Sequence, residues 1–352
     1  MKVFVTGTDG YLGIMLAGHL HQHGHIVRGC DTGFYRNGWL YNGTSYLPET
    51  LSKDIRKVTA EDLSGYDAVI HLAELSNDPL GQLAPNITFD INHGGSLHLA
   101  KMAKQAGIQR FIYFSSCSVY GASEQIIDES GATNPLTAYA QCKLKVEADL
   151  KQMAGDTFSP TFLRNATAYG ASPRQRFDLV VNNLAGFAWC TKEIKMLSDG
   201  TPWRPLVHVL DICKAARCTL EADRAIIHNE TFNVGDSKEN YQVKTVAEII
   251  SSTFPGCSLS IGDRGGDKRD YRVSFDKINS KLPGFKCDWN VKRGAEQLLD
   301  VFSRIGLTNE LFESAPHTRL KQINHLIETK QIDADFFWAE VRGSARERSD
   351  KT

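Results

Sequence analysis

Residues 3–13 read VFVTGTDGYLG, in which the β-prone Val3, Phe4 and Val5 run straight into Gly7, Gly10 and Gly13. An apolar helical stretch follows from Tyr11 to Leu20. Asp31 closes a second short apolar run, HIVRGCD, eighteen residues after Gly13. Strand, glycine-rich turn, helix, strand and acid in this order are the layout of a dinucleotide site. The glycines let the backbone approach a pyrophosphate, whose charge sits on the helix N-terminus. Asp31 is placed to accept hydrogen bonds from the adenosine ribose and to repel a 2′-phosphate, which favours NAD over NADP.

Outward from this stretch, strand patterns recur at DAVIHLA (67–73), RFIYFSS (110–116) and TFLRNAT (161–167), with helical stretches between them, notably 92–106 and 137–154. The alternation predicts an α/β fold, a doubly wound parallel sheet of Rossmann type. The central runs are apolar on both faces, as a sheet covered by helices requires. After about residue 170 the pattern breaks up at turn signals such as SDGTP (198–202), NVGDSKEN (233–240) and GDRGGDKRD (262–270). A smaller, interleaved C-terminal substrate domain is expected, with 1–168 and 206–235 in the dinucleotide-binding part and 169–205 and 236–340 in the other. Residues 341–352 read as a polar tail. The 300–341 stretch has apolar helical spacing at Leu320, Ile323, Leu326 and Ile327 and is expected to pack on the substrate domain or on a second subunit.

The chain has 352 residues and a net charge of −1, so no basic surface argues for nucleic acid or membrane. No apolar run approaches the ~20 residues of a membrane span. The eight cysteines form no CxxC pair, which suits reduced thiols and a cytoplasmic location. Four histidines crowd GHLHQHGHIV (18–27), but no acid or cysteine completes a metal site nearby and Gly24 reads as a helix C-cap; no metal is expected.

Tyr139 and Lys143 form a Tyr-x-x-x-Lys pair in PLTAYAQCKLKVEADL, on one face of a helix. A free tyrosine, with a pKa near about 10, is a poor base at neutral pH. A nearby ammonium favours the phenolate. With TGTDGYLG, HLAELSNDP (71–79), DINHGGSLHLA (90–100), FSSCSVYG (114–121), YAQCK, LRNATAYG (163–170) and LSDGTPWRPLVHVLDICKA (197–215), this pair makes roughly residues 1–300 resemble the extended short-chain dehydrogenase/reductase family, in particular its NAD-dependent nucleotide-sugar epimerases and dehydratases.

The resemblance implies a Ser116–Tyr139–Lys143 triad, with Ser116 four residues before Tyr120 and hydrogen-bonded to the reacting sugar hydroxyl. It extends the NAD site to Tyr11, Leu12, Leu72, Ala73 and Asn92, and to Asp54 and Ile55 around the adenine. It places Asn165, Arg204 and Arg269 on the diphosphate of a nucleotide sugar, where arginine's planar fork suits phosphate. Sugar dehydratases of this kind carry an Asp-Glu pair after the Ser/Thr; Cys117 and Ser118 stand there instead and are poor substitutes. Cys117 is expected to be small filling beside the nicotinamide, against the substrate. The implied function is an NAD-dependent nucleotide-sugar 4-epimerase. It would act through a transient 4-keto sugar by reversible hydride transfer, in a homodimer whose interface includes the 137–154 helix, with Leu144, Ala148 and Met153 available to a mate. Two alternatives stand: a 4-dehydrogenase or 4-ketoreductase on the same scaffold, and a non-catalytic NAD(H)-sensing protein.

Overall fold

The structure is a computed structural model that describes residues 1–339 apart from Ser45, Asn77 and residues 266–268. The polar tail expected from 341 lies outside the described residues. Seven strands form one sheet: β1 (Lys2–Thr6), β2 (Ile26–Asp31), β3 (Glu49–Ser52), β4 (Ala68–His71), β5 (Arg110–Ser116), β6 (Ser159–Asn165) and β7 (Thr231–Val234). Their order is β7-β6-β5-β4-β1-β2-β3 and every pairing is parallel. This is the Rossmann-type sheet the sequence predicts. Val3, Phe4 and Val5 are fully buried, as are all four residues of β4. Each such apolar side chain contributes about 1.5–3 kcal/mol by leaving water.

Strand order reverses between β1 and β4, and a crevice opens at the carboxyl ends of these two strands. The Thr6 hydroxyl braces it. Its Oγ1 accepts from the backbone N–H groups of Leu72 and Ala73, both at 3.1 Å, and meets His71 Nδ1 at 2.7 Å. Burial pushes His71 down to about 3, so the ring is neutral.

A second core lies beyond the sheet, where Phe177, Phe254, Phe302 and Phe312 pack with the helices Val180–Cys190, Val243–Thr253 and Val291–Ile305. A three-stranded sheet of Thr167–Tyr169, Trp203–His208 and Asn240–Gln242 adjoins it. Two two-stranded pairs complete the described strands, Glu193–Ser198 with Ser258–Arg264 and Ala122–Ile127 with Asp270–Val273. Among the described residues no helix is long and apolar enough to cross a membrane.

One expectation is corrected in part: within 300–341, Val301, Phe302, Leu307 and Phe312 do join the second core. The amphipathic stretch at 320–327 does not pack on the second core. Ile323, Leu326, Ile332 and Phe336 close on Phe34, Ile55, Leu75, Leu80 and Ile91, loops and short helices at the carboxyl edge of the sheet. The apolar face was legible, whereas its partner is made of residues scattered over five separate segments.

Within the histidine cluster, His19 and His23, one helical turn apart, hold their rings 4.4 Å apart. The helix Tyr11–Gln22 ends at His23, and Gly24 takes φ +80°. His21 stacks on Tyr46, and His25 pairs with Glu221 at 3.0 Å.

Candidate active site

The glycine turn is built by contact as well as by conformation. Gly7 has φ +80°, and a Cβ there would stand 3.0 Å from the backbone nitrogen of Ala73. A Cβ on Gly13 would come within 2.0 Å of the Gly7 carbonyl oxygen, so only glycine lets the helix start against the turn. Tyr11 lines the crevice between Gly10 and Leu12. It is buried, and its hydroxyl donates to the Gly170 carbonyl at 2.8 Å, which ties the turn to the 170–172 loop.

Asp31 stands at the end of β2. Its carboxylate accepts from the N–H groups of Gly33 (2.7 Å) and Asp9 (3.0 Å). Burial, followed by the Asp9 charge, pushes Asp31 up to about 6. Arg36, five residues on, is paired with Asp9 at 2.9 Å. We expect two consequences. NAD should bind more tightly than NADP in direct competition, and equal or tighter NADP binding would refute the role given to Asp31. NAD affinity should also fall up to about tenfold from pH 7 to pH 5, because the carboxylate that accepts the ribose hydroxyls becomes protonated as pH drops through about 6. Titration calorimetry across that range measures it; a flat profile would count against the assignment.

One cavity takes in Gly7, Gly10, Leu12, Gly13, Asp31, Asp54, Ile55, Leu72 and Ala73 at one end and Ser116, Tyr139, Lys143, Asn165 and Arg269 at the other. Asp54 turns its carboxylate to Arg56 (2.8 Å) and caps the turn Ile55–Lys57. Ser116 Oγ accepts from the Ser118 N–H at 3.1 Å and so caps the turn Cys117–Tyr120 while still lining the cavity.

Tyr139 and Lys143 lie on the helix Ala138–Met153, which starts where the Thr137 hydroxyl caps the Ala140 N–H. Lys143 Nζ is 5.4 Å from the centre of the Tyr139 ring and donates to the Phe114 carbonyl. It also meets a partner that sequence reading missed, Glu74, at 2.8 Å, with both side chains buried. Burial pushes Glu74 up, while Lys143 and the Tyr113 hydroxyl (2.6 Å) pull the other way. The signal was present in HLAELS: a charged residue just past a fully buried strand, at the sheet end where ligands bind.

Three expected site residues do not line the cavity. Asn92 is fully buried and bonds both backbone groups of Leu75, at 2.8 and 3.1 Å, so it shapes the 74–76 loop from behind. Cys117 is turned into the core by the turn that begins at it; its thiol donates to the Arg164 carbonyl, and burial pushes it well above the usual thiol range. It is therefore not the filling expected beside the substrate. Arg204 donates to the carbonyls of Trp203 and Arg269, which buttresses Arg269 from outside.

Asn165 does line the cavity, but its Nδ2 is aimed at the carbonyls of Leu163 (3.2 Å) and Ser115 (3.4 Å). Its Oδ1 is left as a buried acceptor without a partner among the described residues, as is the Ser118 hydroxyl. An acceptor suits a sugar hydroxyl better than a phosphate oxygen. Sequence reading also missed Arg176 and Arg319, which face the same cavity.

The residues present fit NAD: a glycine turn that leaves room for a pyrophosphate, an acid at the ribose position and a lysine beside the candidate base.

The model of the NAD dependent epimerase/dehydratase family matches residues 3–235. A UDP-glucose 4-epimerase of Corynebacterium glutamicum is 30% identical over 306 residues, 80% of this chain and 90% of the relative. Among solved structures, a UDP-glucose 4-epimerase of Stenotrophomonas maltophila with bound NAD and formylated UDP-arabinopyranose is 26% identical with a TM-score of 0.70, covering 86% of this chain and 99% of that one. An NAD-dependent NDP-hexosamine 5,6-dehydratase of tunicamycin biosynthesis superposes with a TM-score of 0.76 at 20% identity, over 86% and 98% of the two chains. With the match spanning the sheet, the glycine turn and the Tyr139–Lys143 pair, the chain belongs to the NAD-dependent epimerase/dehydratase family.

Proposed function

We propose that the protein is a nucleotide-sugar 4-epimerase that acts through a transient 4-keto sugar. The observation that carries this reading is the shared cavity wall of Ser116, Tyr139 and Lys143, continuous with the glycine turn and Asp31. Curated relatives named UDP-glucose 4-epimerase favour a UDP-hexose as substrate.

NAD, when bound, supplies a hydride acceptor that can give the hydride back. Tyr139 takes the proton of the sugar C4 hydroxyl, and Ser116 hydrogen-bonds the same hydroxyl. Lys143 favours the phenolate by its charge, and Glu74 fixes the ammonium in place. Asn165 Oδ1 and the Ser118 hydroxyl accept from the sugar ring, leaving Arg269 for the diphosphate. After the keto sugar has turned over, Tyr139 returns the proton. The division into an NAD-binding part, 1–168 with 206–235, and a sugar-nucleotide part, 169–205 with 236–340, belongs to this reading. Loss of water is disfavoured because Cys117 and Ser118 supply neither carboxylic acid nor carboxylate.

A 4-dehydrogenase or 4-ketoreductase would use the same residues but consume or release a reduced cofactor at each turnover. Incubation of the purified protein with UDP-glucose and no added nucleotide separates them. Many turnovers to a mixture of C4 epimers are expected; a reaction that stops after one turnover would overturn the epimerase reading.

The proposal includes a homodimer through the Ala138–Met153 helix. Of the three residues considered for that face, Ala148 is exposed, whereas Leu144 and Met153 pack against their own core. Light scattering at micromolar concentration is expected to give twice the monomer mass, and the monomer mass would reject it.

A further inference from the structure

Arg319 opens the helix Arg319–Glu328, far along the chain from the glycine turn, yet its guanidinium reaches that turn. A Cβ built on Gly10 would stand 4.0 Å from Arg319 Nη2. The residue is 6% exposed and lines the same cavity as Gly7, Gly10 and Gly13. Its guanidinium lies 3.8 Å over the Tyr35 ring and makes no hydrogen bond or ion pair with any described residue, and only its backbone N–H is engaged, by Asp178. A largely buried guanidinium that faces a cavity, with no protein acceptor among the described residues, is suited to an anion there.

The neighbouring Arg176 sharpens the point. Its donors are taken by Asp178 and Ser76, so it offers Arg319 charge repulsion rather than a partner. Burial, then Arg176, brings Arg319 down to about 10. Gly10 precedes the N-terminus of the helix Tyr11–Gln22, where backbone N–H groups already favour a phosphate. An anion in this place would have the helix on one side and Arg319 on the other.

We propose that Arg319 is a ligand of the NAD pyrophosphate, delivered from a C-terminal clasp that closes over the adenosine half of the cofactor. The clasp is tied to segments that flank the adenosine position. Trp338 Nε1 donates to the Thr32 carbonyl at 2.6 Å, one residue after Asp31. Gln322 Nε2 donates to the Phe34 carbonyl at 2.9 Å. Arg56, beside Ile55, donates to the Asp335 carbonyl at 2.9 Å and covers the Phe337 ring. The segment thus links the loop after β2 to the Ile55 turn, and it carries the one buried guanidinium of this cavity that lacks a protein acceptor among the described residues. The proposal rests on NAD being the cofactor and is independent of the sugar chemistry.

The test uses full-length protein stripped of nucleotide, with ADP, adenosine and UDP as calorimetric probes and wild type as reference. Arg319→Gln is expected to weaken ADP binding by about tenfold to a hundredfold, as expected for loss of a charge-assisted contact. Adenosine, which has no phosphate, should bind unchanged. Equal ADP affinity in Arg319→Gln and wild type would overturn the proposal. So would a loss confined to UDP, which would assign the anion to the sugar nucleotide. Should Arg319→Gln lose adenosine as well, Arg319→Lys decides. Restored adenosine binding with ADP recovered in part supports the contact, and failure of both variants overturns it. A wild-type protein that binds neither ADP nor NAD would instead refute the cofactor assignment itself.

Discussion

Tyr139→Phe is expected to lower kcat by about 10²–10⁴ on the true substrate while leaving the fold and NAD binding intact. The hydroxyl is the proposed proton acceptor, and its ring stands on the cavity wall rather than in the core. Removing it therefore opens no buried void. The neighbouring charges stay as they are, because Lys143 remains anchored by Glu74 and the Phe114 carbonyl. Thermal denaturation with and without NAD checks the fold, and steady-state kinetics check the loss. Near-normal turnover would move the base elsewhere and bring the NAD(H)-sensing alternative forward. Lys143 is a less clean probe. Truncating it would leave Glu74 buried without its counter-ion, so lost activity would mix chemistry with stability.

Glu147→Ala is expected to destabilise the protein by about 3–5 kcal/mol. Glu147 lies on the inner face of the helix that carries Tyr139 and is 1% exposed. It binds Arg164 on β6 through two oxygens, at 2.6 and 2.9 Å, and accepts from the Ser115 hydroxyl on β5 at 2.5 Å. Arg164 passes the network on to the Tyr120 hydroxyl at 2.9 Å. Alanine would leave the guanidinium buried with that phenol as its one remaining partner among the described residues. The double substitution Glu147→Leu with Arg164→Met should recover most of the loss, because a buried pair gives back little more than its desolvation. Urea unfolding of the single and double variants reads both. A midpoint for Glu147→Ala equal to wild type would show that water reaches this network freely.

How far the sequence carries one depends on how local the cause is. β1, β2, β4 and β5 are continuous apolar runs because helices cover both faces, so they were legible as strands. β3, Glu-Thr-Leu-Ser, is a half-exposed edge strand of four residues and has no apolar run to read. β7, Thr-Phe-Asn-Val, returns to the sheet after the second core has begun, and only its pairing with β6 identifies it. β6 itself starts at Ser159, two residues before the apolar pattern that suggests it.

The same holds for the site. The glycines, Asp31 and the Tyr139–Lys143 pair depend on short-range spacing and could be read directly. Asn165 could be named, but the direction of its amide is set by two carbonyls on neighbouring strands. Glu74 and Arg319 act on residues 69 and 309 positions away in the chain, Lys143 and Gly10; HLAELS marks the place of Glu74 but not its partner, and no local pattern announces Arg319. Cys117 misled because a turn of four residues, Cys117–Tyr120, decides which way its thiol points.

The central claim is that the hydride taken from the sugar returns to the same carbon on the opposite face. UDP-glucose deuterated at C4, followed by NMR of the products without added nucleotide, tests it most directly. The account predicts a C4-inverted hexose that keeps its deuterium at C4, with no net reduced cofactor. A 4-keto product with one equivalent of deuterated NADH, or an inverted product whose label has washed out, would contradict it.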